Sequence, residues 1–367
     1  MKVLWITNIP SPYRVNFFNK LGEKCNLTVL FERGSASDRD ESWKNYEVNS
    51  FNNVILKGIN YSNDTAISVG IFSYLSKKYD HIVISNPLTI TGMMAIFYLK
   101  LIKKKYIIVG DGGQAKYKRD IKEFIKRIVL TGASQYLSTG NEHSKYYLRY
   151  GATEDKIKLY PFTSISNKDI LEKPMERNEK RKIRSSLGIR HDKVVLVIGQ
   201  FIHRKGFDIM LRASSNLEDN VGVYFVGGDP SIEYLKLKEE LRLDNVYFIG
   251  FKEKEELSKY YKASDIFVLP TREDIWGLVI NEAMAYGLPV ITTNKCVAGV
   301  ELITDYENGF IIPVENPSIL NEKILLLLND SALIDQIAIN NLNKIASYTM
   351  EEMVDKHLSI FRKLNEG

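Results

Sequence analysis

Cysteine is scarce in this chain: 367 residues hold two, Cys25 and Cys296. Two cannot build a disulfide framework, and neither has a second Cys or a His at ligand spacing, so a disulfide scaffold and a thiolate metal site are not expected. A reducing cytoplasm fits. The five histidines, at 81, 143, 191, 203 and 357, form no metal-ligand pair at helical spacing. No Gly-x-Gly-x-x-Gly run opens a helix and no P-loop is present, which argues against a dinucleotide oxidoreductase and a P-loop NTPase. Helix-turn-helix, ribonucleoprotein aromatic motif and zinc finger are absent too, so nucleic acid is not an expected partner. Long hydrophobic runs are missing. The longest uncharged stretch, 82–99, has the length of a membrane span but contains Ser85-Asn86-Pro87, and it reads as strand, turn and core helix. The apolar run near Met1 is too short for a signal peptide and reads as a first buried strand, so no export by that route is expected.

What is present is ordinary in amount and uneven in placement. Apolar residues make up 44% of the chain, enough for two cores of usual size. Residues 1–165 hold 24 Lys+Arg against 14 Asp+Glu, and the remainder holds 26 against 31, a net +10 and −5. Short apolar strands alternate with helical stretches in two series, which predicts parallel sheets covered by helices. The first series has strands over 2–6, 26–31, 81–84, 106–109, 135–137 and 157–160. Residues 166–190 are polar and charged without a strand pattern, and read as a linker region. A second series follows, with strands over 193–198, 222–226, 246–249, 265–269 and 289–292. Two successive doubly wound Rossmann-like domains are expected, with ligands at the carboxyl ends of their strands.

The second series carries the most informative segment. Residues 266–270 read as a buried strand, 271–277 as the loop at its carboxyl end and 278–286 as a helix. Asp274 lies in that loop and Glu282 on the helix, eight positions on. A helix start offers unpaired N–H groups and the positive end of a dipole, a place for a diphosphate. Leu278, Glu282 and Tyr286 share one helical face. Earlier, Gly199-Gln200-Phe201-Ile202-His203-Arg204-Lys205-Gly206 links a strand to a helix and sets two cations at its entrance. Asn308-Gly309, between short apolar runs, reads as a hairpin turn.

Asp274, seven residues, Glu282, then Ala283-Met284-Ala285 and Gly287-Leu288-Pro289 resemble the signature of retaining glycosyltransferases of family 4. The resemblance spans most of the chain and is specific from about 199 to 309. It implies the α/β GT-B fold, two doubly wound Rossmann-like domains facing a central cleft. It divides the chain into an acceptor-binding domain over 1–165, the linker over 166–190, a nucleotide-sugar-binding domain over 191–345 and a final helix over 346–367 returning to the first domain. It gives Asp274 the sugar hydroxyls of the donor, with neighbouring Glu273 as a substitute, because the family usually has the longer Glu there. Glu282 takes the nucleotide ribose, and the backbone after the Trp276-Gly277 pair, with Leu278, meets the phosphates. Lys205 matches the family's Lys beside the departing diphosphate. Gln200 stands where the family has Arg, and Arg204 is the candidate to supply that charge. Phe251 is the candidate beside the donor base. Ala298, Gly299 and Glu301 lie where a family loop approaches the donor.

On the acceptor side, Tyr13 and Arg14 follow the first strand. Asp111 and Gly112 follow the strand over 106–109, where family members set an acidic residue or His near the anomeric carbon. Asp38-Arg39-Asp40 mimics the Asp-x-Asp metal motif of the other glycosyltransferase fold but sits in a polar segment, and reads as a surface loop. No metal and no cofactor is expected; the nucleotide-diphospho-sugar is a substrate, and Lys205 with backbone dipoles carries the leaving charge.

The basic first half suits an anionic partner. Lys103-Lys104-Lys105 and the stretch 116–127 hold much of the excess. In that stretch Tyr117, Ile121, Phe124, Ile125 and Ile128 form an apolar face and Lys116, Lys118, Arg119, Lys122, Lys126 and Arg127 a positive one. Either an interfacial membrane helix or a core-facing helix with a solvated basic side has this pattern. The expected function is a retaining, metal-independent transfer of sugar from a nucleotide-sugar donor to a glycan or lipid-linked acceptor, in the cytoplasm or peripheral to the membrane's inner face. The alternatives are another GT-B enzyme, such as a nucleotide-sugar epimerase or phosphorylase, and a catalytically silent binding module.

Overall fold

Strand after strand in this chain buries all or nearly all of its residues, as sheets covered by helices on both faces require. Lys2–Thr7 (β1) buries all but its first residue, and so does Asn26–Phe31 (β2). The computed structural model describes residues 1–35, 46–114 and 121–366. It has two compact units, Met1–Thr163 with Met350–Gly367, and Ser164–Thr349. The Asp38-Arg39-Asp40 segment lies outside the described residues.

In the first unit β1 and β2 are joined by Asn52–Ile55 (β3), a short antiparallel pair of Ile59–Asn60 (β4) and Ala66–Ile67 (β5), His81–Ile84 (β6), Ile107–Val109 (β7), Gln135–Ser138 (β8) and Ile157–Leu159 (β9). The main sheet has the order β3-β2-β1-β6-β7-β8-β9, parallel throughout. Its direction of winding reverses between β1 and β6. Crossovers leave room at such a switch point for a ligand beyond the carboxyl ends of the strands. Leu4, Ile6, Leu30, Ile84, Ile108 and Leu99 fill the core on one face. On the other, His357 of the helix Met350–Glu366 packs among Trp5, Phe17 and Tyr160. Burial pushes that imidazole down to about 4, so it is a neutral core residue near pH 7.

The stretch 82–99 divides as expected. β6 ends at Ile84, the Thr89 hydroxyl accepts from Gly92 N–H as an N-cap, and the helix Ile90–Leu101 follows. Among the described residues no helix is long and apolar enough to cross a membrane.

The second unit repeats the plan with Lys193–Ile198 (β10), Val221–Val226 (β11), Val246–Ile249 (β12), Ile266–Leu269 (β13), Val290–Thr293 (β14) and Gly309–Ile312 (β15). The order is β12-β11-β10-β13-β14-β15, again parallel, with its switch point between β10 and β13. Val195, Val197, Phe207, Phe225, Val268 and Ile291 belong to its core.

Two expectations change. Asn308-Gly309 is not a hairpin turn, because β14 and β15 run parallel. Asn308 instead accepts from Thr304 N–H and donates to the Leu302 carbonyl, fixing the entry to β15. Residues 166–190 hold a helix, Arg177–Ser186, docked within the second unit. Its anchor is Arg184, 6% exposed, which donates to the carbonyls of Ala263 and Asp192 and pairs with Asp265 at 2.7 Å. Charge alone made the segment look like a solvated linker, but one guanidinium finds three acceptors.

Candidate active site

The loops that leave β10 and β13 carry most of the residues expected on the donor side. After β10 a short 3-10 turn, His203–Lys205, ends at Gly206 in the left-handed region, φ 68°. A Cβ at Gly206 would lie 2.1 Å from the Pro270 carbonyl oxygen, so only glycine lets these loops close. The Arg204 carbonyl accepts from Arg272 N–H and from the Thr271 hydroxyl, each at 2.8 Å. Arg272 in turn grips Asp208 with two bonds of 2.7 Å.

This stitching brings Lys205 Nζ to 2.6 Å from Asp274 Oδ2, with the two side chains 14% and 10% exposed. Arg204 lies 3.4 Å from the other oxygen, and its guanidinium donates to the Glu273 carbonyl at 2.8 Å. Asp274 is fixed by its backbone as well. Its N–H donates to Lys295 O, and its carbonyl accepts from Val297 N–H. Gly277, φ 103°, caps the helix Leu278–Ala285, and a Cβ there would lie 2.7 Å from the Cys296 sulfur. The first N–H groups of a helix have no carbonyl partner within it, so this end suits an anion. Leu278 sits at that first turn, half-buried.

Glu282 stands one helical turn further on. Its Oε1 accepts from the Ser164 hydroxyl at 2.8 Å and its Oε2 from the Tyr261 hydroxyl at 2.9 Å. Burial raises its pKa, and those two hydrogen bonds oppose the rise. An ionised carboxylate has about four acceptor sites, so capacity remains for two more hydroxyls. Tyr261, stacked on Tyr286 with ring centroids 4.9 Å apart, and Ser164 were not foreseen. Nothing local in the sequence marks them.

Of the remaining donor-side candidates, Trp276, Glu273 and Gln200 lie on these same loops and Phe251 follows β12. Trp276 is 3% exposed and donates its indole N–H to Asn281 at 2.8 Å, so its side chain braces the loop from within. Its carbonyl accepts from Ala298 N–H. Gln200 and Glu273 are exposed, and Phe251, just beyond β12, is 43% exposed.

The first unit collects polar groups at its own switch point. Arg14, on the helix Pro12–Gly22, donates to Thr7, to Asn8 Oδ1 at 3.0 Å and to Asn86 Oδ1 at 3.3 Å, and pairs with Asp111. Tyr13 donates its hydroxyl to the same Asp111 at 3.0 Å. Burial pushes the Tyr13 phenol up to about 12, so it remains a donor. Arg14 therefore braces Asp111. Tyr160 holds the Gly110 carbonyl at 2.7 Å, and Gly112 follows Asp111 with φ 127°. Close by, Glu32 is 1% exposed and accepts from the Thr89 hydroxyl at 2.5 Å and Ala66 N–H at 3.3 Å. Among the described residues no group of three His, Cys, Asp or Glu side chains is placed to hold a metal.

Two parallel Rossmann-like sheets in succession define the GT-B fold. Anabaena HepE, solved in complex with UDP, superimposes over 100% of both chains with a TM-score of 0.78 at 18% identity. Residues 179–344 match the family model for glycosyl transferases group 1. A Klebsiella pneumoniae protein described as an uncharacterized 41.2 kDa protein in the cps region is 26% identical over 270 residues, 71% of this chain and 72% of its own length. The Campylobacter jejuni N,N'-diacetylbacillosaminyl-diphospho-undecaprenol alpha-1,3-N-acetylgalactosaminyltransferase is 23% identical over 256 residues, 70% of this chain and 67% of its own length. The likeness is thus to glycosyl transferases of group 1 over residues 179–344, and to the GT-B fold over the whole chain.

Proposed function

We propose that the chain is a metal-independent, retaining glycosyltransferase that takes sugar from a nucleotide-diphospho-sugar and delivers it to a lipid-linked or other surface-glycan acceptor. The observation that carries this is the Lys205–Asp274 pair beside a helix start, with Glu282 on the same helix, at the switch point of a sheet within the matched region. The UDP complex of HepE supports a nucleoside diphosphate as the ligand class, and the diphospho-undecaprenol named for the Campylobacter relative supports a lipid-linked acceptor.

In this mechanism the ribose hydroxyls donate to Glu282, Asp274 accepts from the donor sugar with Glu273 beside it, and Phe251 lies against the base. Gln200 and the N–H groups of Gly277 and Leu278 contact the diphosphate. The bond from the anomeric carbon to the phosphate oxygen breaks as the acceptor oxygen bonds on the same face. The acceptor proton passes to the departing phosphate oxygen. Lys205 and Arg204 offset the charge that grows there. Asp111, oriented by Arg14 and Tyr13, positions the acceptor hydroxyl. The cytoplasm, where nucleotide-sugars are made and thiols such as Cys25 and Cys296 stay reduced, is the proposed compartment.

The test is a panel of nucleotide-sugars incubated with the protein, with the released sugar followed by NMR. An α-linked donor is expected to give the α anomer first. First appearance of the β anomer would contradict retention, and no turnover of any donor with a lipid-linked acceptor would contradict the activity.

A further inference from the structure

Arg272 has every N–H of its guanidinium engaged within the second unit. Its Nε donates to Glu315 Oε1. Nη1 donates to the His203 carbonyl and to Asp208 Oδ1, each at 2.7 Å. Nη2 donates to Asp208 Oδ2 at 2.7 Å and to Glu315 Oε2 at 3.1 Å. These are five bonds from five donors, the full capacity of the group. The side chain is 15% exposed. With no donor left over, Arg272 does not hold a ligand; it holds other residues.

What it holds are loops at the carboxyl ends of the strands. His203 and Asp208 follow β10, Arg272 itself follows β13, and Glu315 follows β15. Glu315 takes part from φ 57°, in the left-handed region that a residue with a side chain disfavours. Asp208 stands in the first turn of the helix Phe207–Ser214. Burial works to raise its carboxyl pKa, but the bonds and charge of Arg272 outweigh that, and the group is lowered overall. The guanidinium fork thus faces an ionised, matching pair of oxygens. The turn His203–Lys205 hangs from Arg272 at two successive carbonyls, that of His203 from the guanidinium at 2.7 Å and that of Arg204 from the main-chain N–H at 2.8 Å. Lys205 is the next residue of that turn, and Asp274 lies just beyond Arg272 on the other loop; their charged ends meet at 2.6 Å.

We propose that Arg272 is a positioning residue for the transfer: it suspends the turn that carries Lys205 from the loop that carries Asp274, and so sets where the lysine's charge stands as the diphosphate departs. This role depends on the one proposed above for Lys205. Lysine cannot replace Arg272, because an ammonium has three donors and no planar fork.

Two measurements on the full chain test this. In the first, trace acetylation by acetic anhydride is read at Lys205 by peptide mass spectrometry. R272K should raise the rate at Lys205 severalfold and leave the other lysines of the second unit unchanged, because the hold on this one turn is lost. D208N, which keeps Arg272 and weakens its grip, should act in the same direction and carries the test if R272K folds poorly. In the second, turnover is measured with a panel of UDP-, GDP- and ADP-sugars. R272K should lower turnover about tenfold or more, the scale of a small misplacement of a catalytic group, with little change in KM. It should add nothing in a K205A background. The positioning role is overturned if labelling of Lys205 is unchanged in both variants, if it rises equally at all lysines of the unit, or if R272K repeats its full loss of turnover in the K205A background. Full turnover in K205A alone overturns the reading of Lys205 itself, and the positioning role falls with it.

Discussion

Lys205 and Asp274 are 69 positions apart in sequence, and their charged ends meet at 2.6 Å. Each neutralises the other in a largely buried setting, so a lone buried charge is avoided on both sides. A departing diphosphate would draw the lysine's charge away from Asp274. Lys205→Ala is expected to lower turnover by about a hundredfold, roughly 3 kcal/mol, with a smaller loss of donor affinity. Steady-state kinetics checks this, with calorimetry for affinity; unchanged turnover in a folded variant would refute it.

Glu282 and Tyr261 separate binding from support. Glu282→Gln should weaken nucleoside diphosphate and intact donor alike, whereas Tyr261→Phe removes one hydrogen bond to the carboxylate and should cost less, about 1 kcal/mol. Asp274→Asn should spare the free diphosphate and harm sugar-dependent turnover. Equal losses of diphosphate affinity in the Glu282 and Asp274 variants would contradict the separate roles.

Glu32 gives the first unit a pH dependence. Burial lifts its carboxyl from 4.5 to about 7, against the pull of the Thr89 and Ala66 hydrogen bonds. The folded form therefore holds its proton more tightly than the unfolded chain, so this contribution is full below pH 4.5 and is lost as pH rises towards 7. The loss amounts to at most about 3 kcal/mol. Denaturant titrations between pH 4.5 and 8 should show Glu32→Gln flattening that slope and stabilising the protein at pH 8. An unchanged slope would show that Glu32 ionises freely.

Turnover should persist in excess chelator, because charge on the diphosphate is assigned to Lys205, Arg204 and the helix start. Loss of activity under chelation, restored by manganese or magnesium, would reverse that assignment.

The donor half was the more legible in sequence because strand, loop, acid and helix follow one another between Ile266 and Ala285, within one βα unit. The glycines at 206 and 277 could be placed for the same reason. Ser164 and Tyr261 escaped notice since they reach Glu282 across 118 and 21 positions. The same holds for Arg14. Its position after the first strand was readable, but only the sheet order puts Asn86 and Asp111 around its guanidinium. For the basic helix, amphipathic spacing was evident and its direction was not. Glu123 finds Lys126, Tyr150 and Arg149, while Val129 and Leu130 are the residues of this helix that enter the core. Of its expected span, 116–120 lies outside the described residues, and the described helix is Ile121–Leu130.

Calorimetric titration with UDP, GDP and ADP tests the central claim most directly, using wild type and Glu282→Gln side by side. At least one diphosphate is expected to bind wild type, and the substitution should weaken it by about tenfold or more, the worth of a hydrogen bond to a charged group. Absence of binding by every diphosphate, or equal affinity in the two proteins, would contradict the assignment of the second unit as the nucleotide-sugar site.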